Sequence, residues 1–153
     1  MKITASVEYA MQALLEIAKS TERGLPISAG SISQSQDIPL KFLESILLKL
    51  KKGLFVESIR GNSGGYVLSK EPSQIKIADV FRCIEGPLAA VADTAPEFTK
   101  YKGHAKNLTD AWIATRVALR EVLEKISLED LSRGNYSKEI ESRLKSKDAW
   151  KRR

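Results

Sequence analysis

Residues 27–69 restrict the fold more than any other part of the sequence, because four predicted elements follow one another there with short connections. A short helix over residues 29–35 and an amphipathic helix over residues 39–52 are separated by a turn of three residues. Two strand-like segments follow, over residues 54–59 and 66–69, and a glycine-rich turn joins them. This order predicts a helix-turn-helix followed by a two-stranded hairpin.

Local signals mark the ends of the two helices. Ser28 is a favourable N-cap, although Gly30 and several serines make the first helix intrinsically weak, so tertiary contacts must hold it. Pro39 suits the first position of the second helix, and Gly53 ends that helix. Apolar stripes are expected to be buried on this helix and on a helix over residues 77–85. They consist of Leu43, Ile46, Leu47 and Leu50, and of Ile77, Val80, Phe81 and Ile84.

The chain divides into three regions in a mainly α fold with a small β-hairpin wing. Residues 1–87 are expected to form a winged helix-turn-helix domain that opens with a helix over residues 6–20. Residues 88–131 are expected to hold a linker and a long helix. Residues 132–153 are expected to be a basic, mobile tail.

The net charge of +6 is concentrated at the two ends of the chain. Residues 1–70 carry nine Lys and Arg against six Asp and Glu, and residues 135–153 carry seven against three. A basic surface attracts phosphate, but many basic proteins bind no nucleic acid. Charge alone therefore leaves nucleic-acid binding open.

Composition excludes several classes of protein. With one His and one Cys, the chain can form neither a zinc finger nor an internal disulfide. The sequence also contains no nucleophile–base motif that would indicate an enzyme. No stretch approaches the ~18–20 apolar residues of a membrane span. The N-terminus lacks a secretory signal, so we expect a cytoplasmic protein without membrane contact.

The second helix of such a unit can enter the major groove of DNA and present its first turns to base edges. Glu44 can accept from a cytosine amino group, Lys41 can reach phosphate or guanine, and Ser45 can serve either. The predicted DNA contacts of this helix are Pro39, Leu40, Lys41, Phe42, Glu44 and Ser45. A lone arginine on a thin hairpin suits a narrow, negative minor groove, and glycines let the backbone approach it. The predicted contacts of the wing are Arg60, Gly61, Asn62, Ser63, Gly64 and Gly65.

Three strings resemble the Rrf2 family of bacterial winged-helix regulators. They are MKIT…EYAMQALLEIA, IPLKFLESILLKLKKGLFVESIRGNSGGYVLS and IKIADVFRCIEGP, and the resemblance covers residues 1–87 and extends to the long helix. It implies a homodimer that places two winged helices on a pseudo-palindromic operator in double-stranded DNA. We interpret the chain as a transcription regulator and favour a repressor, with an activator as the alternative.

The resemblance also implies roles for individual residues. Glu44 matches a base-reading glutamate, and Arg60 matches an arginine that enters the minor groove. Ser28, Lys41 and the backbone of residues 61–65 match positions that contact phosphate. The basic pair that the family carries near its N-terminus is replaced here by Ser6 and Val7, which places phosphate contacts there in doubt.

The long helix, which Asn107 and Asp110 are expected to cap, carries an apolar stripe. In the family this helix crosses the equivalent helix of the partner, so the stripe is the expected dimer contact. Its residues are Leu108, Trp112, Thr115, Leu119, Val122 and Ile126. Trp112 has two interpretations, one as core packing and one as the wall of an effector pocket beside the wing.

Family members that bind an iron–sulfur cluster place three cysteines before the long helix, whereas residues 88–107 contain none. We therefore expect no cofactor and no metal site, and control by a small molecule or a protein effector. The alternative is an atypical metal site formed by Glu8, Cys83 and His104. A further alternative is a winged helix that binds another protein instead of DNA.

Overall fold

The computed structural model describes residues 2–151 of the 153-residue chain. Its helices are α1 (Ala5–Glu22), α2 (Ala29–Gln36), α3 (Leu40–Lys52), α4 (Ile77–Glu85), α5 (Leu108–Leu123), α6 (Leu128–Arg133) and α7 (Lys138–Lys145). The strands β1 (Val56–Ile59) and β2 (Gly65–Leu68) form an antiparallel pair in which Val56 faces Leu68 and Ile59 faces Gly65. The predicted mainly α fold with a hairpin wing is confirmed.

Helix α1 is the centre of the core and packs against α3, α4, β2 and α6. Thr4 begins it, because the Thr4 hydroxyl accepts from the Val7 N–H at 3.4 Å. The same hydroxyl donates to the Glu85 carboxylate at 2.7 Å, which joins the start of α1 to the end of α4. The buried stripe of α1 holds Val7, Ala10, Ala13, Leu14, Ile17 and Ala18.

Tertiary contacts hold the intrinsically weak helix α2, as its composition predicts. Ser28 caps it by accepting from the Ser31 N–H at 3.1 Å, and Ile32 is fully buried. The Gln36 amide donates to the Glu16 carboxylate of α1 at 2.6 Å. Asp37 then takes a left-handed conformation with φ of 53° and turns the chain toward α3.

The ends of α3 differ in detail from their sequence signals. We expected Pro39 at the first helical position, but it is the N-cap, because the helix begins at Leu40. Gly53 is the C-cap as expected, but its φ of −77° is ordinary and Leu54 carries the positive φ of 58°. Glycine at position 53 permits close packing instead, since a Cβ there would lie 2.6 Å from the Cys83 Sγ.

On α4 the buried stripe is Ala78, Val80, Phe81 and Ile84. Ile77, which we expected to be fully buried, is only half-buried. The linker that follows is irregular apart from two 3₁₀ turns, Pro96–Phe98 and Gly103–Ala105.

Helix α5 is shorter than predicted. It ends at Leu123, and the Asn107 side chain forms no capping hydrogen bond. The predicted continuation to Ile126 is wrong, because the Ile126 carbonyl accepts from the Ile77 N–H of α4 at 3.1 Å. Ser127 then starts α6 with a reciprocal capping pair with Asp130, and fully buried Leu128 returns to the core.

The C-terminal region, expected to be a mobile tail, contains a helix where we predicted no regular element. Ser137 caps α7 by accepting from the N–H of Ile140, whose side chain is only 4% exposed. Two ion pairs connect α7 to the end of α5 and the residues after it, Lys125–Glu139 at 2.5 Å and Arg143–Glu121 at 3.5 Å. Residues 152 and 153 of the predicted tail lie outside the described residues.

None of the helices in residues 2–151 combines the length and the apolar character that a bilayer span requires.

Candidate nucleic-acid interface

The apolar stripe of α3 determines which of its side chains reach solvent. All four stripe residues are buried against α1, α2 and α4. Because helical residues alternate between faces with a period of 3.6, the remaining positions of the first turns point outward. The residues predicted to contact DNA are accordingly all exposed: Pro39, Leu40, Lys41, Phe42, Glu44 and Ser45.

Two charged side chains on this face are free to bind another molecule. Within residues 2–151, neither Lys41 nor Glu44 has a hydrogen-bond or ion-pair partner. Many charges elsewhere are paired, for example Arg82 with Asp79 at 2.8 Å. Unpaired charges of both signs on a rigid helix can discriminate between donors and acceptors of a ligand.

Phe42 and Ser45 also make contacts that support the helix itself. The Phe42 ring meets the Tyr9 ring of α1 edge to face, with centroids 5.7 Å apart. The Ser45 hydroxyl donates to the Phe42 carbonyl at 2.7 Å, which leaves its oxygen able to accept. Ser28 is exposed, and its hydroxyl is already engaged as the cap of α2.

The wing places Arg60 and the turn that follows it in solvent. Arg60, Gly61, Asn62 and Ser63 are exposed, and Arg60 has no hydrogen-bond or ion-pair partner in the described part of the chain. The turn thus presents one free guanidinium beside accessible backbone, which is the chemistry that a negative groove would bind.

Gly64 and Gly65 are half-buried and have a structural role. A Cβ at Gly64 would lie 2.2 Å from the Ile59 carbonyl oxygen, and one at Gly65 would lie 2.4 Å from that of Ile27. Gly65 also has a φ of 155°. These two glycines shape the wing through close backbone approach, a role that the sequence pattern did not separate from contact with DNA.

Two contacts that fix the wing were not foreseen. Ile27 pairs with Tyr66 of β2 through N–H to carbonyl hydrogen bonds of 3.1 and 2.8 Å. The Lys51 ammonium at the end of α3 donates to the Ser58 hydroxyl of β1 at 2.6 Å. Ile27 lies 39 positions before Tyr66, so no local signal marks this pairing, whereas Lys51 and Ser58 are only seven positions apart.

Gly65→Ala is expected to destabilise the protein, because the methyl group meets the Ile27 backbone, which cannot rotate away. We expect the free energy of unfolding to fall by about 1–3 kcal/mol, the usual range for overpacking. Chemical denaturation measures it. Gly24→Ala is the matched control, since Gly24 also has a positive φ, of 71°, but open space around it. Equal losses in the two variants would contradict the close approach at Gly65.

The stripe proposed for dimer contact lies on α5, of which no residue is fully buried. Leu108 and Thr115 are exposed, and Trp112, Leu119 and Val122 are half-buried. Ile126 does not lie on this helix. A groove of about 550 Å³ separates the stripe from residues 89–92. The helix therefore presents an apolar face that the described chain covers only in part.

Trp112 lines this groove, and its indole N–H donates to the Tyr101 hydroxyl at 3.1 Å. The residues lining the groove belong to α5, to residues 89–92 and to Lys2, so the expected pocket beside the wing is not formed at Trp112.

The residues of the alternative metal site do not form one within the chain. Glu8 and His104 are exposed on α1 and on a 3₁₀ turn, and Cys83 is half-buried on α4. Residues 2–151 contain no group of three His, Cys, Asp or Glu that could hold a metal ion. Burial raises the pKa of the Cys83 thiol, against a smaller opposing effect of Lys49, and this disfavours the thiolate that a metal or an oxidant requires.

Known proteins with similar sequences are transcription regulators. A Mycobacterium tuberculosis protein assigned as an HTH-type transcriptional regulator is 40% identical over 134 residues, which cover 88% of this chain and 83% of that protein. The HTH-type transcriptional regulator CymR of Bacillus subtilis is 37% identical over 132 residues, which cover 86% and 90%.

Two solved structures of regulators named CymR and IscR are similar to this chain. The structure of CymR from B. subtilis matches with a TM-score of 0.72 and 35% identity, over 88% of this chain and 98% of that one. IscR of T. potens matches with a TM-score of 0.71 and 29% identity, over 88% of each chain.

A family model described as an iron-dependent transcriptional regulator, Rrf2, matches residues 3–134. The side chains present do not fit an iron–sulfur cluster, because the sequence has a single cysteine and residues 2–151 bring no further ligands to it. The match spans the helix-turn-helix, the wing and α5. The chain therefore belongs to the Rrf2 family, and it is a DNA-binding transcription regulator.

Proposed function

We propose that the protein is a homodimer that binds a pseudo-palindromic operator in double-stranded DNA and represses transcription there. The observation that carries this proposal is the set of free, exposed charges on two rigid elements. Lys41 and Glu44 project from α3, and Arg60 projects from the wing, with no partner for any of them among the described residues.

Helix α3 would lie in the major groove with its first two turns against the bases. There Glu44 accepts from a cytosine amino group, and Lys41 donates to guanine or to phosphate. Phe42 is held by Tyr9 and offers an apolar edge to a thymine methyl group. The four buried residues of α3 fix the helix, so these contacts need little rearrangement.

The wing would place Arg60 in the adjacent minor groove, where a narrow A·T-rich segment concentrates negative potential. Its position depends on the Ile27–Tyr66 pairing and on the Lys51–Ser58 hydrogen bond. Contact by the exposed backbone of residues 61–63 adds to the binding of phosphate.

Dimerisation through α5 supplies the two-fold symmetry. The helix has 16 residues, so at ~1.5 Å per residue it is about 24 Å long. Its apolar stripe is exposed or only half-buried along this length, and pairing with the same stripe of a second copy would bury what remains exposed. Two winged helices then meet two half-sites.

Salt dependence tests DNA binding directly. Fluorescence anisotropy with a labelled operator duplex is expected to show that the affinity falls steeply between 50 and 200 mM salt, by about 10³-fold or more if six or more phosphates are contacted. A scrambled duplex is the control and is expected to bind far more weakly at each salt concentration. A winged helix that binds only proteins would show no preference between the two duplexes. Repression is tested by a reporter placed behind the operator, whose output is expected to rise when the regulator is deleted.

Glu44→Ala is expected to alter base preference more than total affinity. The variant loses an acceptor for cytosine, and it also loses a negative charge that repels phosphate. Selection of binding sites from randomised duplexes measures the preference at each position. Glu22→Ala on α1 is the matched control, because it removes the same charge from another exposed site. A weaker variant with an unchanged preference would remove Glu44 from the base-reading contacts.

A further inference from the structure

A cavity of about 380 Å³ lies where α4, the linker and α5 meet. Three arginines form one side of it, Arg82 from α4 and Arg116 and Arg120 from α5. The other side is apolar and is formed by Pro87, Leu88 and Ala95. A volume of this size is within the range of small-molecule sites.

Arg116 has a hydrogen-bond donor that the described chain leaves without an acceptor. Its side chain is only 14% exposed, and its Nη1 bonds to the Glu97 carboxylate. The Nε is buried and has no acceptor among residues 2–151. A buried donor without an acceptor is unfavourable. Because Nε is closed to solvent, a bound anion would contact the part of the Arg116 guanidinium that lines the cavity.

The charges around the cavity are unevenly paired: Arg82 has two carboxylate partners, Asp79 and Glu124, whereas Arg116 has one, Glu97. Among the residues that line it, Glu97 is the one carboxylate against three guanidinium groups. Glu124, which does not line the cavity, pairs with two of these guanidinium groups. It bonds to Arg82, and its carboxylate lies 3.8 Å from the Arg120 Nε. Arg120 therefore shares its counter-charge and is left with donors for a ligand.

We propose that this cavity binds a small aliphatic carboxylate, whose oxygens contact Arg116 and Arg120 and whose hydrocarbon body packs against Pro87, Leu88 and Ala95. A planar carboxylate matches the fork of N–H donors on a guanidinium. Phosphate can also bind to these donors, but it has no apolar body to fill the rest of the cavity. The apolar wall thus favours an aliphatic carboxylate over inorganic phosphate.

The position of the cavity gives the ligand a route to DNA binding, an inference that rests on the proposed function. Helix α4 is part of the winged-helix core, and α5 carries the proposed dimer contact. A ligand held between them would bind the two helices in one relative orientation and change the spacing of the two winged helices. The carboxylate is therefore the effector of the regulator.

Isothermal titration calorimetry on the full chain without DNA tests the site by itself. The probes are butyrate, 2-oxobutyrate and succinate, with butyramide as the uncharged match to butyrate and inorganic phosphate as the anion without a carbon body. We expect saturable binding of at least one carboxylate, no binding of butyramide, and weaker binding of phosphate. Absence of saturation for all three carboxylates, or binding of butyramide as tight as that of butyrate, would overturn the proposal, as would phosphate binding tighter than every carboxylate.

Two variants locate the binding. Arg116→Lys keeps the charge but removes the planar guanidinium. Arg120→Gln removes a charge from a half-exposed side chain, so its effect on binding does not come from a disturbed fold around Arg116. Each is expected to weaken the carboxylate by about tenfold or more. Arg133→Gln on α6 is the control, because that arginine is exposed, pairs with Glu129 and lies outside the cavity. Unchanged affinity in the Arg120 variant would contradict the site.

Operator affinity is then measured with and without saturating carboxylate. We expect it to change at least severalfold in the parent and not in Arg120→Gln. Carboxylate binding without any change in operator affinity would refute the effector role. A protein that binds carboxylate but no DNA would instead refute the proposed function and leave the site in place.

Discussion

Leu119→Glu is expected to yield a folded monomer that binds its operator about 100-fold or more weakly than the parent. Leu119 lines the groove along α5 and is half-buried, but it is neither part of the buried core nor packed against it, so the substitution leaves the core of one chain in place. In the proposed dimer a carboxylate at this position lies against apolar side chains of the partner and loses its hydration. A monomer binds only one half-site, so it loses the gain in affinity that two linked contacts provide.

Sedimentation velocity measures the first effect and fluorescence anisotropy the second. Val117→Glu is the matched control. Val117 is on the same helix and 48% exposed, but a separation of two residues places it on the opposite side of α5 from Leu119. It is expected to remain a dimer with unchanged operator affinity. A Leu119→Glu protein that sediments as a dimer would show that the stripe of α5 is not the interface.

Arg60→Ala is expected to weaken operator binding by about 1–3 kcal/mol, or roughly 5- to 150-fold in Kd, and to leave the dimer intact. Arg60 is exposed at the wing tip without a partner in residues 2–151, so its removal breaks no contact within the chain. The preference for A·T-rich sequence beside each half-site is expected to relax, because the arginine reads the width of the minor groove.

Arg133→Ala removes the same charge from α6 and controls for long-range electrostatics, and it is expected to change the affinity much less. Binding of Arg60→Ala to every duplex with the affinity of the parent would mean that the wing does not enter the groove.

The helix-turn-helix and the wing could be predicted from sequence because local signals mark their boundaries. Ser28 caps α2, Pro39 precedes α3, and Gly53 ends α3, each within one residue of its expected place. Such signals act through backbone conformation and nearby hydrogen bonds, so they operate without the rest of the fold.

The error at the end of α5 has a specific cause. Leu119, Val122 and Ile126 keep helical spacing across the point where the helix stops, so periodicity alone extends it too far. The pair of Ser127 and Asp130, which caps α6, is a sequence signal for a new helix and would have corrected the prediction. The buried Leu128 confirms that this segment returns to the core.

The site was predictable to the extent that it lies on one element. Exposure of Lys41 and Glu44 follows from the apolar stripe of α3 alone. The role of Gly65 depends on Ile27, 38 positions earlier, and a pairing over that distance leaves no periodic signal. The arginine cavity was not predictable for the same reason, because Arg82 and Arg116 meet only when α4 and α5 pack together.

Selection of bound sequences from a fully randomised duplex library, followed by sequencing, tests the central claim most directly. We predict an inverted repeat whose half-site centres are about 34–36 Å apart, or a multiple of that distance, with A·T-rich positions where the two wings enter the minor groove. Enrichment of an unpaired half-site would contradict the dimer. A library that emerges without any enriched sequence would contradict specific reading of DNA by α3 and the wing.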